Sequence, residues 1–155
     1  MSKIDSLPLS VTHEVRDSCI CLHTQRAARA LARRFDTALA PVDLRHGQFS
    51  LLISLSRPIA PTIGEVASVL AMDRTTLTAN LKPLERRRLV KVAVDRNDKR
   101  SRLLVLTAAG KRLLAKAVPV WRRAHGEVDR RFAKSDRDAM RAGLLALSGI
   151  DDSAD

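Results

Sequence analysis

The chain has 155 residues, with 28 Lys and Arg against 17 Asp and Glu and a net charge of +11, which suits one small domain and excludes a large multidomain enzyme. Its 45% apolar content with only 6 Gly and 6 Pro supports a packed core and excludes a wholly disordered basic tail. Aromatic residues make up 3% and Tyr is absent, which argues against readers that stack unpaired bases on exposed rings and points this charge at the backbone and grooves of a duplex.

Between residues 10 and 40 neither Pro nor Gly interrupts a run rich in Ala, Leu and Arg, so one long helix is predicted, ended by Pro41. At about 100° per residue, Ile20, Ala27, Leu31, Phe35 and Ala38 form one apolar stripe, while Val11, Val15 and Leu22 form another on a different side. Two apolar faces need two partners, and in so short a chain the second is another subunit. Residues 48–55 predict a short apolar helix, followed by the breaker-rich segment RPIAPT at 57–62. Thr62 with Glu65 three residues on is a capping box, and Ile63, Val66, Ala67 and Leu70 give the inner face of a two-turn helix. Ala71 and Met72 make a turn, Asp73 is an N-cap, and a second helix runs over 74–87. This is a helix-turn-helix by length and capping.

Over 89–94, Val90, Val92 and Val94 alternate with Lys91 and Ala93, as in a half-buried strand. The polar tip DRNDKRS at 95–101 turns the chain, and 102–106 returns as a second strand. Thr107 caps a long helix to about residue 132, in which Pro119 is expected to produce a kink near Ala115. Ser135 with Asp138 starts a last helix through Leu147, and residues 151–155 read as a frayed tail.

Enzyme signatures fail in turn. Gly110-Lys111 lacks both the upstream Gly of a phosphate loop, where Val105 stands, and the following Ser or Thr, where Arg112 stands. His13, His23, His46 and His125 are scattered, with no pair at an evident metal-ligand spacing. No enzyme, metal or cofactor is therefore expected. The start of the chain lacks a signal-peptide core and no apolar run approaches a membrane span, so a cytoplasmic protein without membrane contact is expected.

Charge and shape coincide instead in one segment. Residues 73–102 hold ten Lys or Arg against four Asp or Glu. The second helix of such a motif enters a major groove by its N-terminus, where Arg74, Thr75, Thr76 and Thr78 lie, with Asn80 and Lys82 beyond them. Pro83 should bend this helix, leaving Arg86, Arg87 and Arg88 for phosphates or acidic neighbours. At the hairpin tip Arg96, Lys99 and Arg100 compete as the group entering a minor groove, and Asp98 stands at i, i+2 to brace Arg100. Two other classes stay open. One is a basic winged-helix module that binds protein without reading DNA sequence, and the other is a DNA-processing enzyme.

The order of elements, with MDRTTLTANLKPLERRRLV followed by DRNDKRSRLLVLTAAG and the PVW around Pro119, resembles the MarR family of bacterial transcriptional regulators over nearly the whole chain. The resemblance implies a mainly α fold of the α+β type: a winged helix-turn-helix with long N- and C-terminal dimerisation helices. In a single domain of residues 1–155, residues 10–40 and 107–148 would make the helical dimerisation part and 45–106 the DNA-binding part. It further implies a homodimer on a palindromic operator, a repressor role, and release by a small ligand or oxidant. Arg88 stands where relatives usually carry Gly, so the helix must end without the easy left-handed residue or end differently, and Ala79 stands where similar sequences often carry Arg. The effector crevice of such proteins points to Arg16, Cys19, His23 and Phe49 here. On a continuous helix Cys19 and Cys21 would face apart, while Cys19 and His23 would share a face. Structural packing is the expected role of the thiols, with oxidant sensing as the alternative.

Overall fold

The computed structural model describes residues 7–149, so the tail expected at 151–155 lies outside the described residues. The chain divides into two compact units, one up to Arg34 and one from Phe35 onward. No helix among the described residues is long and apolar enough to cross a membrane.

In the first unit the expected single helix is two: α1, Leu9–Ser18, and α2, Ile20–Leu39, whose last residues belong to the second unit. The break is Cys19, in extended conformation at φ −71° and ψ 105°. Absence of Pro and Gly did not suffice for continuity because short polar side chains compete for backbone groups. The Ser18 hydroxyl donates back to the Glu14 carbonyl, and the Cys19 thiol accepts from Leu22 N at 3.4 Å, capping α2. No residue of α1 is buried, and Val15, Ile20 and Leu31 of the two predicted stripes are exposed.

The second unit holds the core. The end of α2 buries Phe35 and Leu39, and a 3-10 turn at Ala40–Val42 leads to α3, His46–Ser54, which buries Phe49, Leu51 and Leu52. Next come α4, Ile63–Val69, and α5, Arg74–Arg86. The hairpin of β1, Val90–Val94, and β2, Arg102–Leu106, precedes α6, Ala108–Asp129, and α7, Lys134–Ser148. Leu39, Leu52, Val66, Leu77, Leu84, Leu104 and Ala117 lose all solvent contact. A helix-turn-helix with a β-hairpin wing results, mainly helical with one small sheet.

Three caps set the geometry of this helix-turn-helix and its hairpin. Thr62 and Glu65 form the full capping box: Thr62 N donates to Glu65 Oε2 at 2.6 Å and Glu65 N to Thr62 Oγ1 at 3.2 Å. Asp73 caps α5, and Thr107 caps α6 by accepting from Gly110 N at 3.0 Å. Thr107 Oγ1 also lies 2.8 Å from the Arg88 carbonyl and 3.0 Å from that of Leu89, which ties the end of α5 to the start of α6. Gly110 is required there, since a Cβ would stand 2.3 Å from Leu89 O.

Both helices of the motif end in Schellman turns without glycine. Met72 N reaches Ala67 O at 2.8 Å and Ala71 N reaches Ser68 O at 3.0 Å, with Ala71 at φ +50°. At the end of α5, Leu89 N reaches Leu84 O at 2.9 Å and Arg88 N reaches Glu85 O at 2.8 Å, with Arg88 at φ +55°. The missing glycine thus leaves the turn type unchanged, and an arginine is held in the left-handed region.

Other expectations need correction. Of the valine stripe on β1 only Val90 is buried, while Val92 and Val94 are 38% and 53% exposed. The reason is strand order: a bridge from Thr62 to Leu103 and a bond from Leu104 N to Pro61 O at 2.8 Å cover β2, leaving β1 at the edge. The helix α6 ends at Asp129 rather than near 132, with Pro119 inside it as Pro83 is inside α5. Ala133, not Ser135, is the N-cap residue of α7, and Asp138 pairs with Lys134 at 2.8 Å.

Candidate nucleic-acid interface

The exposed side of α5 and the hairpin tip carry the residues the sequence singled out. Asp73 Oδ1 accepts from Thr76 N at 2.8 Å and Oδ2 from Thr76 Oγ1 at 2.6 Å. The Thr76 hydroxyl and backbone hold this carboxyl below the usual carboxylate range. In the same way, the Thr62 backbone N–H and then its hydroxyl hold Glu65 low. The proton of Thr76 is therefore spent on the cap, and Thr78 Oγ1 donates to Arg74 O at 2.7 Å. Both threonines are exposed and turn their hydroxyl protons to their own helix and its cap. Thr75 and Lys82 are exposed, and Asn80 Nδ2 lies 3.7 Å from Met72 Sδ.

Arg74 leans back across the motif. Its guanidinium covers Gly64 in the first turn of α4, where an added Cβ would stand 3.0 Å from Nη2. Of the three arginines that close α5, Arg86 is exposed, Arg87 pairs with Asp43 at 3.0 Å, and Arg88 takes the left-handed turn.

At the wing tip Asp95 Oδ1 accepts from Asn97 N at 2.8 Å, and Asp98 Oδ1 accepts from Arg100 N at 3.0 Å. The expected brace is thus to the backbone of Arg100 and not to its guanidinium. An i, i+2 spacing in a turn favours the main-chain donor because the side chain reaches only its own loop. Arg96, Lys99 and Arg100 are all exposed. Arg102, counted in the basic segment but not among the candidate contacts, donates from Nη1 to Lys99 O at 2.9 Å and folds over the tip.

The candidate effector residues do not gather. Arg16 pairs with Asp17 at 2.6 Å, and the His23 ring nitrogen Nε2 lies 3.2 Å from Asp17 O. Cys19 caps α2 from an extended residue, its carbonyl taking His23 N at 3.1 Å, and the exposed Cys21 takes Gln25 Nε2 at 3.2 Å. Phe49 belongs to the second unit and lines a pocket there of about 440 Å³.

That pocket was not foreseen. Its walls are Phe35, Phe49 and Trp121 with the imidazoles of His46 and His125, and Arg122 and Ser50 add polar groups. Phe49 stacks on Trp121 at 6.0 Å and 19°, Trp121 meets His125 at 4.8 Å, and Phe35 meets His46 at 5.4 Å. A signal existed in the spacing. His46, Phe49 and Ile53 recur at i, i+3, i+7 on α3, and Val118, Trp121, Arg122 and His125 at i, i+3, i+4, i+7 on α6.

Comparison with known proteins gives three informative matches. The HTH-type transcriptional regulator TtmR of Methylorubrum extorquens is 35% identical over 100 residues, 64% of this chain and 51% of that protein, so the chain spans about half the length of this curated relative. The crystal structure of the M. tuberculosis transcriptional regulator MosR in complex with DNA is 38% identical, covers 84% of this chain and 98% of that one, and has a TM-score of 0.73. A MarR-family transcriptional regulator from Rhodococcus sp. RHA1 shares the fold at 24% identity and TM-score 0.73, covering 92% of this chain and 96% of its own. No family model matches the chain.

Proposed function

The chain belongs to the MarR family of transcriptional regulators, and from this we propose that it is a homodimeric repressor that reads a palindromic operator and is released by a small ligand. The observation that carries the reading is the position of its charge: ten of its basic residues lie in residues 73–102, and Arg74, Lys82 and Arg86 of α5 with Arg96, Lys99 and Arg100 of the hairpin tip are exposed. The 38% identical MosR was captured on DNA, which supports a duplex as the partner. Arg74, Thr75, Thr76, Thr78 and Asn80 would face base edges, Lys82 and Arg86 phosphates, and Arg96, Lys99 and Arg100 the flanking minor groove. Nothing in this role calls for catalysis, and it would be exercised in the cytoplasm, where the operator is.

A second subunit would cover the apolar side chains left in the open on α7, namely Met140, Leu144 and Leu147, and those on α1 and α2. The pocket behind Trp121 is our candidate effector site. Ring walls suit a flat apolar body, and Arg122 with two imidazoles suits an anionic edge. Cys19 and Cys21, each engaged in a local helical hydrogen bond, are given a packing role in this scheme.

The test is binding to a palindromic duplex and to a shuffled one across a salt series, with sedimentation of the free protein. Affinity for the palindrome should exceed that for the shuffled duplex and fall with a log–log slope of about −0.9 per neutralised phosphate. Equal, salt-insensitive binding of both would favour a protein-interaction module, and a stable monomer that still holds the palindrome tightly would refute the dimer.

A further inference from the structure

One face of α6 runs from the pocket to the last helix. Ala117, Trp121, His125 and Asp129 follow at steps of four, so each is a neighbour of the next along one slanting ridge of the helix. Trp121 and His125 are pocket walls. One turn further, His125 Nδ1 faces Asp129 Oδ2 at 3.5 Å. The same Oδ2 takes Arg137 Nη1 at 3.0 Å, and Oδ1 takes Arg141 Nη2 at 3.3 Å, both from α7. The Asp129 side chain is only 25% exposed, so it is partly shielded from solvent. The helix α7 has no buried residue of its own, and its Met140, Leu144 and Leu147 are exposed. Asp129 therefore ties α7 to α6 through two arginines, and the same carboxylate faces a wall of the pocket.

We propose that His125 is a positioning residue that couples occupancy of the pocket to the placement of α7 through Asp129. The idea rests on reading the pocket as an effector site, but the coupling itself can be measured without a ligand. An imidazole that meets Trp121 in a tilted contact at 4.8 Å and faces Asp129 with Nδ1 cannot move toward a pocket ligand without changing what Asp129 offers to Arg137 and Arg141. Coupling of this kind acts equally in both directions. A change on α7 must alter the pocket, and a change in the pocket must alter α7.

Trp121 is the only Trp in the chain, so its emission reports the pocket alone, while hydrogen exchange of the backbone amides of α7 reports the other end. Without ligand, His125→Gln should raise exchange in α7, on the order of fivefold for a coupling at the low end of the usual range. Arg137→Gln, remote from the pocket, should change acrylamide quenching of Trp121. The double variant should exceed neither single effect. Asp129→Asn, nearly the same shape, should reproduce both effects and guards against misfolding of one variant. Unchanged α7 exchange in His125→Gln together with unchanged quenching in Arg137→Gln would overturn the proposal.

A second arm uses benzoate as the probe. In the parent it should shift Trp121 emission and α7 exchange together, and in His125→Gln it should shift the emission only. Equal α7 responses in both proteins would also overturn the coupling. If benzoate leaves the parent's Trp121 unmoved while the ligand-free arm holds, the failure belongs to the anionic-effector reading and the coupling stands.

Discussion

Arg88→Gly should make this protein more stable, although it removes a side chain and adds flexibility. Arg88 sits at φ +55° because the Schellman turn that ends α5 demands a left-handed residue before Leu89. That conformation costs an L-residue about 1–2 kcal/mol, and glycine gives back about 0.5–1 kcal/mol of it through the greater entropy of its unfolded chain. The net gain is about 0.5–1 kcal/mol, which for a domain of this size raises Tm by about 1–4 °C. The arginine side chain is exposed, and its carbonyl, which takes Thr107 Oγ1 at 2.8 Å, is kept by glycine. Thermal melts of three variants separate backbone from charge. Arg88→Gly and Arg88→Asn, whose new residues tolerate the left-handed region, should both rise, and Arg88→Ala should not, while all three lose the same charge and weaken together on DNA. Equal melting points for the Gly and Ala variants would refute the assignment of strain to this turn.

Arg74→Ala should cost about 1–3 kcal/mol on an operator and relax preference at one base pair per half-site, whereas Arg100→Ala should lower the salt slope by about one per subunit with little change in major-groove preference. Binding to single-base operator variants at several salt concentrations checks both, and exchanged phenotypes would invert the docking of helix and wing. Gly110→Ala should destabilise by more than about 2 kcal/mol in urea, since the new methyl would lie 2.3 Å from Leu89 O and 2.7 Å from Leu106 Cδ1. A variant of parental stability would show that α6 does not pack this closely. The carboxyls of Asp73 and Glu65 titrate below their ordinary values of 3.8 and 4.5 in the folded chain. Their contribution is therefore complete above those values and is lost as pH falls through the depressed ones. Urea midpoints should decline below about pH 4.5 more steeply for the parent than for an Asp73→Asn, Glu65→Gln double variant, and parallel declines would exclude the caps as the cause.

What was legible in the sequence was short-range. Thr62 with Glu65, Asp73 before α5 and Thr107 before α6 are caps whose donors lie within three residues, so spacing suffices to find them. The break at Cys19 lies at the same range but was hidden. Its signal is a serine and a cysteine bonding locally, which periodicity averages away. The exposure of Val92 depended on β2 being covered by the chain at Pro61, a neighbour about thirty residues off that no alternation pattern encodes. The pocket drew on the end of α2, on α3 and on α6, so each helix showed only a fragment of it. Phe49 alone was anticipated, and its partners His46, Trp121 and His125 became a site only when the helices met.

The way the structure spreads its cohesion also bears on how such a regulator can be switched. The elements that would touch DNA rest on fully buried leucines such as Leu77, Leu81 and Leu84 of α5 and Leu104 of β2, each of which is stabilised by about 1.5–3 kcal/mol of burial. The helix α7 has no such residue and is tied to α6 by partly exposed ion pairs at Asp129, which contribute about 0.2–1 kcal/mol each. A ligand of micromolar affinity brings about 8 kcal/mol, of which a small part, spent differently in two positions of α7, outweighs those pairs. The same amount would not repack α5, where several leucines would have to move together. On this balance α7 is held more loosely than the leucine core under α5, so a shift of α7 costs less than a repacking of α5.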